Sequence, residues 1–249
     1  MTTADIVGTR GAEMFARYAY APNQLGYCGP HDSRLLAGTR NEIEEAARQF
    51  TGAWPYLEVM SRMTGISDPL DHRLVDSYWL GGGIGAGLDP RSFTAELLDI
   101  IAPQAAHYWS HLTEDLVDEA APDHCFHVFG VYPWSRLLGK GADEHPLSIL
   151  DDCRISWGTV VSIDGATAVV STSRLRLSRP ALSLAAPEDR TIDAGTGVRS
   201  DIAVEPGDLV ALHWGQVCDR LTPEQVARLK DCTDRQLHAT NRRLNSSSS

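Results

Sequence analysis

The stretch GTVVSIDGATAVVST, residues 158–172, determines the fold predicted for the second half of the chain. Apolar and polar residues alternate on both sides of Asp164-Gly165, which is the pattern of two half-buried strands. An Asp-Gly pair between two such runs is a strong signal for a tight β-hairpin turn. The stretch therefore predicts a hairpin made of strands 158–163 and 166–172.

Further strands are predicted after this hairpin, over residues 174–182 and 208–214, with a loop at 185–200 between them. The chain then closes with a helix whose start, Thr222-Pro-Glu-Gln225, has the form of a capping box. Several short strands and one terminal helix within about a hundred residues are typical of a small barrel. We therefore predict an OB-like β-barrel domain with a terminal helix over residues 148–245.

The first half of the chain has helical patterns instead. Helices are predicted over residues 12–18, 32–50 and 105–120, and from Asp89 onward. Asp89 suits the N-cap position and Pro90 suits the first helical turn. Gly, Pro and charged residues cluster at 139–152, which is typical of a linker. The predicted fold class is therefore α+β, with a mainly α-helical domain of unknown role at 1–147 before the barrel domain.

Composition excludes several classes of function. The chain has 249 residues and a net charge of −11, whereas a protein that binds the phosphate backbone needs a positive surface. Its five cysteines are widely spaced, so a disulfide framework is not expected. No run reaches the roughly 18 apolar residues of a membrane span, and the N-terminus lacks the layout of a signal peptide. We expect a cytoplasmic protein that binds no nucleic acid and does not span a membrane.

Two segments of the second half form a pattern with a defined order and spacing. CRISWG, residues 153–158, leads into the strand TVVSI, and GDLVALHWGQVCDRLTPEQVARL follows at 207–229. With this pattern the chain resembles, over residues 151–240, the HypC/HupF family of [NiFe]-hydrogenase assembly chaperones. The segment FARYAYAPNQLGYCGPHD, at 15–32, resembles segments of uncharacterised hydrogenase-associated proteins.

The resemblance implies a chaperone or carrier, more than an enzyme. Such a protein would hold or escort an iron bearing carbonyl and cyanide ligands, or would bind the hydrogenase large-subunit precursor or other maturation proteins. No further cofactor is implied. The matching positions are the candidate iron ligands Cys153 and His213 and the structural or binding residues Gly158, Gly207, Asp208 and Gly215.

The chemistry of the two candidate ligands agrees with this implication. A thiolate is a soft, strong donor for iron, an imidazole is a borderline donor, and two protein ligands leave positions open for transfer. In the family the cysteine lies at the start of the chain, whereas Cys153 lies in mid-chain. Either the thiol alone is sufficient, or the domain is an adaptor that keeps a docking surface and holds no metal. The ordinary alternatives are a half-buried thiol at Cys153 and a packed histidine at His213.

The helical half offers two other candidate sites. His107 and His111 are four residues apart on a predicted helix and could share a metal site with His124 and His127, which would make the chain a metal-dependent enzyme. Ordinary polar contacts would explain these histidines as well. Cys28 lies in a predicted turn near His31, where an imidazole could activate a thiol nucleophile. The turn residues alone would also explain that segment.

Overall fold

The computed structural model describes residues 3–31, 33–104, 109–194 and 202–246. The chain divides into two compact units, Met1–Val131 and Tyr132–Ser249, which are described separately here as unit 1 and unit 2. The predicted domain limits near 147 and 148 stay a prediction. Within the described ranges, no helix combines the length and the apolar character that a membrane crossing requires.

Unit 1 is built from helices. They are α1 (Thr3–Gln24), α2 (Arg40–Ala47), α3 (Trp54–Thr64), α4 (His72–Leu80), α5 (Pro90–Ile101) and α6 (His124–Phe126), and α6 continues as a π-helical segment, His127–Val131. Short 3₁₀ helices lie at Gly83–Gly87, Ala102–Gln104 and Glu114–Asp118. The core is aromatic: Tyr18 stacks on Trp79, and Tyr56 packs against Tyr78 and Phe93.

The helix starts of unit 1 agree only in part with the sequence patterns. Asp89 caps α5 as predicted, since its carboxylate accepts a hydrogen bond from the Ser92 N–H at 2.8 Å. The predicted helix 32–50 is wrong in extent, because the helix begins only at Arg40. The predicted helix 105–120 is wrong within its described part, 109–120, which contains the 3₁₀ helix Glu114–Asp118 and turns.

Unit 2 contains the barrel. Its helices are α7 (Trp134–Leu137), α8 (Glu144–Cys153) and α9 (Pro223–Ser246), and its strands are β1 (Ser156–Asp164), β2 (Thr167–Thr172), β3 (Leu175–Ser178), β4 (Ala181–Leu184), β5 (Glu188–Asp193), β6 (Leu209–His213) and β7 (Gln216–Arg220). Five strands close into a barrel in the order β1-β2-β5-β7-β6, and β3 pairs with β4 in a separate hairpin. The α+β fold class with a small OB-like barrel and a C-terminal helix is therefore confirmed.

The predicted β1–β2 hairpin forms the start of this barrel. Asp164 pairs with Thr167 across the turn, and Gly165 has a φ of 56°. Val160, Val170, Val210 and Leu212 are among the buried residues of the barrel core. The closing helix α9 packs on β4, where the Asn241 side chain donates to the Leu182 carbonyl at 2.9 Å and accepts from its N–H at 2.7 Å. The Thr222 and Gln225 capping box is present as predicted.

Gly158 lies where the β1 backbone packs closely against β2. A Cβ atom at this position would lie 2.5 Å from Val170 Cγ1 and 2.6 Å from the Ser171 carbonyl oxygen. The backbone oxygen cannot move without disturbing the strand pairing. Gly158 pairs with Thr172 in the regular register of the two strands. The absence of a side chain at this position therefore allows β1 and β2 to pair within the barrel.

Gly158→Ala is expected to destabilise the protein by about 1–3 kcal/mol, which is typical of overpacking in a closed core. The measurement is urea unfolding of the purified variant. Gly87→Ala is the matched control, since a Cβ there meets no atom within 4 Å. A change within about 0.5 kcal/mol is expected for this exposed control position. Equal stability of the two variants would contradict the proposed steric role of Gly158.

Candidate functional site

Cys153 is positioned by the junction between α8 and the barrel. It is the last residue of α8, and Arg154, with a ψ of 144°, turns the chain into the extended conformation that leads to β1. Cys153 is buried, with 8% of its surface exposed. The thiol therefore lies between two regular elements of unit 2, because α8 ends at Cys153 and β1 begins three residues later, at Ser156.

His213 is positioned by the tight turn between β6 and β7. It is the last residue of β6 and pairs with Gln216, so Trp214 and Gly215 form a two-residue turn. Their φ angles of 50° and 71° are the values that a type I′ hairpin turn requires at both positions. The Trp214 N–H donates to the Asp152 carbonyl at 2.9 Å, which ties this turn to the end of α8.

This backbone contact brings the two predicted ligands together. The Cys153 Sγ and a ring nitrogen of His213 lie within 4.8 Å of one another. Metal bonds of about 2.3 Å to sulfur and about 2.1 Å to nitrogen allow a separation of up to about 4.4 Å around one ion. This maximum applies to ligands on opposite sides of the ion, whereas neighbouring ligands at angles of about 90–110° lie roughly 3.1–3.6 Å apart. At the 4.8 Å limit, the side chains must therefore move closer before both atoms can bind the same metal.

A buried ion-pair network centred on Asp151 supports the junction. One oxygen of its carboxylate accepts from Arg154 Nε at 3.1 Å and from the Leu175 N–H at 2.8 Å. The other oxygen accepts from Arg174 Nε at 2.6 Å. Arg154 also donates to the Ser173 carbonyl. Because Asp151 and Arg154 are only 4% and 2% exposed, this network fixes the end of α8 against the start of β3.

The same network sets the electrostatics around Cys153. Burial, together with the negative charge of Asp151, raises the pKa of Asp152 above its ordinary value. The hydrogen bond to Asp151 raises the pKa of Arg174, so that guanidinium stays charged. A cavity of about 10 Å³ lies beside His213 and is lined in part by Arg154 and Arg190. This volume holds about one water molecule.

The other residues of the pattern support the barrel. The Gly207 N–H donates to the Val160 carbonyl at 2.8 Å, and the Val160 N–H donates to the Asp208 carbonyl at 2.9 Å. The Asp208 carboxylate accepts from Arg220 Nη2 at 2.9 Å. Gly215 takes the second position of the turn after His213. Their contacts therefore shape the strand ends that carry His213.

Two histidines of the helical half lie close together in unit 1, since the ring centroids of His124 and His127 are 5.9 Å apart. His107 lies outside the described residues. A ring nitrogen of His111 is 2.8 Å from the Val131 carbonyl, and His124 Nδ1 is 3.1 Å from the Tyr78 hydroxyl. His127 packs edge-on against Tyr56, and burial lowers its pKa to about 3. A neutral histidine against an aromatic ring is the environment of a packing residue. The second metal site stays a prediction.

Cys28 lacks the environment of an activated nucleophile. Its carbonyl and that of Pro30 accept from Asn23 Nδ2 at 2.9 Å and 2.8 Å, which holds the turn against the end of α1. Burial raises the pKa of the Cys28 thiol to about 12. Since the thiolate is the reactive form, the environment suppresses the reactivity that a catalytic cysteine needs.

Alkylation of Cys28 by iodoacetamide at pH 8.5 is expected to be roughly a thousandfold slower in the folded protein than in urea, because few thiols are ionised when the pKa is about 12. Peptide mapping by mass spectrometry measures the rate for each cysteine. The unfolded chain serves as the control for the intrinsic reactivity. Equal rates in the two states would show that the folded environment leaves the thiol reactive.

Sequence reasoning missed Asp151, Arg174 and Trp214. Asp151 stands two residues before Cys153, but its partner Arg174 is far along the chain and no spacing rule joins them. The turn at Trp214 had one available signal, the Gly215 that follows it. The separate strand β7 after that turn was not predicted.

Comparisons with known proteins place the chain in a family. No curated protein matches it. No solved structure matches it either. Residues 7–247, which include most of both units, match the family described as a family of unknown function, DUF6390. The chain therefore belongs to the DUF6390 family.

Proposed function

We propose that the protein is a maturation factor for a [NiFe] hydrogenase that holds an iron fragment carrying carbonyl and cyanide ligands. The observation that carries the proposal is the approach of Cys153 Sγ to a ring nitrogen of His213 within unit 2. These are the two positions at which the sequence resembles the HypC/HupF chaperones. The iron fragment is the cargo of this reaction and is passed on to the large-subunit precursor.

The donor set suits a cargo that must be released. One thiolate and one imidazole bind iron without enclosing it, so the remaining positions can stay with carbonyl and cyanide. The cavity beside His213 is lined by two cations, Arg154 and Arg190, and by two carboxyl groups, Asp151 and Asp152, so charges of both signs lie next to the donors. Asp151 acts as a positioning residue, because it holds the helix end that carries Cys153.

The proposed partner is the large-subunit precursor or another maturation protein, and the proposed location is the cytoplasm. None of the five cysteines, all of which lie among the described residues, is in a disulfide, which agrees with a reducing compartment. Most of the excess of acidic over basic residues lies in the first 150 residues. Such a charge excess would speed association with a basic partner surface.

The decisive experiment is infrared spectroscopy of the full chain purified anaerobically from its native host. The expected result is a set of carbonyl and cyanide stretches that is present in the wild type and lost in Cys153→Ala. Cys232→Ala is the matched control, since Cys232 is also a buried thiol of unit 2 and lies within α9. It should keep the bands.

Two results would contradict the cargo-holding proposal. One is the absence of the bands from wild-type protein, and the other is equal band intensity in Cys153→Ala. A stable complex with the large-subunit precursor, formed without metal and unaffected by Cys153→Ala, would instead identify an adaptor. Hydrogenase maturation in a complementation assay provides the second readout, which Cys153→Ala should abolish.

A further inference from the structure

Unit 2 contains a cavity of about 690 Å³ that involves neither Cys153 nor His213. It is formed by α7, the segment that follows α7, the turn between β3 and β4, and the last turns of α9. Its volume lies within the range of about 300–1,000 Å³ that is typical of small-molecule sites. The cavity is therefore large enough for a metabolite-sized ligand.

The walls of this cavity carry a concentrated positive charge in a chain whose net charge is −11. Among the described residues, the lining includes five basic side chains and no acidic one: Arg136, Lys140, Arg179, Arg242 and Arg243. Because like charges repel one another, gathering them around one cavity is unfavourable unless an anion offsets them.

Two of these side chains are held in place by neighbouring residues. Arg179 Nε donates to the Asp143 carboxylate at 3.0 Å, and this pair offsets one positive charge. Arg243 Nη2 donates to Ser135 Oγ at 3.3 Å and to Thr240 Oγ1 at 3.1 Å. Both sets of contacts fix the direction of a guanidinium, but only the neutral hydroxyl partners of Arg243 leave its charge without an offset. The cavity is thus partly preorganised for an anion.

The rest of the lining is mixed, with an apolar part beside two serines, Ser135 and Ser246. The apolar part consists of the buried Leu138 and Leu244 together with Leu177 and Pro180. A site for an inorganic ion alone would not need these side chains. The combination suits a ligand with a charged end and an organic body.

We infer that this cavity binds a small organic phosphate, with the phosphate groups among the arginines and the organic body against the leucines. A guanidinium offers paired N–H donors that match phosphate oxygens, and a phosphate group can accept from several of them at once. Four arginines and one lysine would suit a diphosphate or triphosphate better than a single carboxylate. This inference is independent of the proposed iron site.

The chain supplies its own internal control for the test, because it contains two lysines. Lys140 lines the cavity, whereas Lys230 is exposed on α9 and is not among the lining residues. The unmodified full-length protein is treated with an acetylating reagent, with and without ATP, inorganic pyrophosphate or citrate. Mass spectrometry then gives the acetylation rate of each lysine separately.

ATP is expected to slow acetylation of Lys140 in a saturable manner, by about tenfold at ten times its dissociation constant, and to leave Lys230 unchanged. Pyrophosphate should protect Lys140 more weakly, since it lacks the organic body. Added salt should weaken the protection because the attraction is electrostatic. Equal effects on both lysines, or no protection by ATP or pyrophosphate, would overturn the site. Protection by citrate alone would overturn the assignment to phosphate.

Two variants provide a second measurement by calorimetry. Arg242→Glu places a negative charge in the cavity at an exposed position of α9 and should abolish ATP binding. Lys230→Glu makes a comparable change outside the cavity and should leave the affinity within about twofold, as expected for a distant surface charge. Equal affinities of the two variants for ATP would contradict the inference.

Discussion

Asp151→Ala is expected to destabilise unit 2 by about 3–5 kcal/mol, the usual cost of leaving a buried charge without its partner. Asp151 accepts hydrogen bonds from Arg154, Arg174 and the Leu175 N–H. Arg154 is 2% exposed, so bulk solvent does not reach its charge when the carboxylate is removed. The variant should also disturb Cys153, which ends the same helix. Urea unfolding followed by hydrogen exchange of peptides from β1 and β3 measures the loss.

Two further variants define the origin of this effect. Arg220→Ala removes the exposed partner of another ion pair of unit 2 and should cost less than about 1 kcal/mol. Asp151→Asn keeps an acceptor for the Leu175 N–H but removes the charge, and should be intermediate between wild type and Asp151→Ala. A loss below about 1 kcal/mol for Asp151→Ala would show that the network does not hold the junction.

The stability of unit 1 is expected to fall steeply as the pH decreases below 6.5, in part because of His127. Burial lowers the pKa of His127 to about 3 in the folded protein, whereas an unfolded histidine has a pKa near 6.5. Between these values only the unfolded chain binds the proton, so acid favours unfolding. The slope from this group is about 1.4 kcal/mol per pH unit below pH 6.5, which amounts to roughly 2.5 kcal/mol between pH 7 and pH 4.5.

His127→Gln should remove that part of the pH dependence. Urea unfolding at pH 7 and pH 4.5, monitored by hydrogen exchange of peptides from α3, compares the loss of stability in the two proteins. The α3 residue Tyr56 contacts the His127 ring, so these peptides report on its surroundings. The exposed His238→Gln, on α9, is the control and should behave as the wild type. An unchanged acid sensitivity in His127→Gln would contradict the buried, neutral state.

Local patterns predicted the elements whose signals lie within a few residues. Asp164-Gly165 marked the first hairpin, Asp89-Pro90 marked the start of α5, and Thr222 to Gln225 marked the start of α9. In each case the residues that give the signal also make the contact. Such elements can be predicted without knowledge of the tertiary structure.

The predicted helix 32–50 is too long, because the sequence within it contains the N-cap of a helix at Thr39. Thr39 and Glu42 form a capping box, in which the Thr39 N–H donates to the Glu42 carboxylate at 2.7 Å. Gly38 precedes it in a turn. The sequence Thr39-Arg-Asn-Glu42 has the Ser/Thr-x-x-Glu/Gln pattern of a capping box, and this pattern predicts that α2 starts at Arg40.

Hydrophobic periodicity did not reveal the barrel strand β5 or the division between β3 and β4. β5, Glu188–Asp193, was assigned to a loop, because Ile192 is its single buried side chain and the rest of the strand is polar. Its backbone pairing with β2 decides its conformation. The predicted strand 174–182 is instead two strands, β3 and β4, which turn at Arg179-Pro180. Proline inside a strand pattern was the available warning.

The sequence was sufficient to select the two residues of the candidate site but not to predict that they lie close together in the fold. The resemblance selected Cys153 and His213 by their order in the chain. Their approach depends on the hydrogen bond between Trp214 and Asp152 and on the Asp151 network, and both join segments that are distant in sequence. Contacts of this kind depend on the tertiary packing of α8 against β3 and against the turn after β6, which no local sequence pattern encodes.

The position of His213 near the end of the barrel has a consequence for synthesis of the chain. The ribosome releases Cys153 well before His213, and β6, which carries His213, is among the last strands to be made. The nascent chain therefore has a thiol without its imidazole until the barrel can close. Any ion that needs both donors can be captured only after translation has passed the last barrel strands, so loading of the proposed site would follow folding.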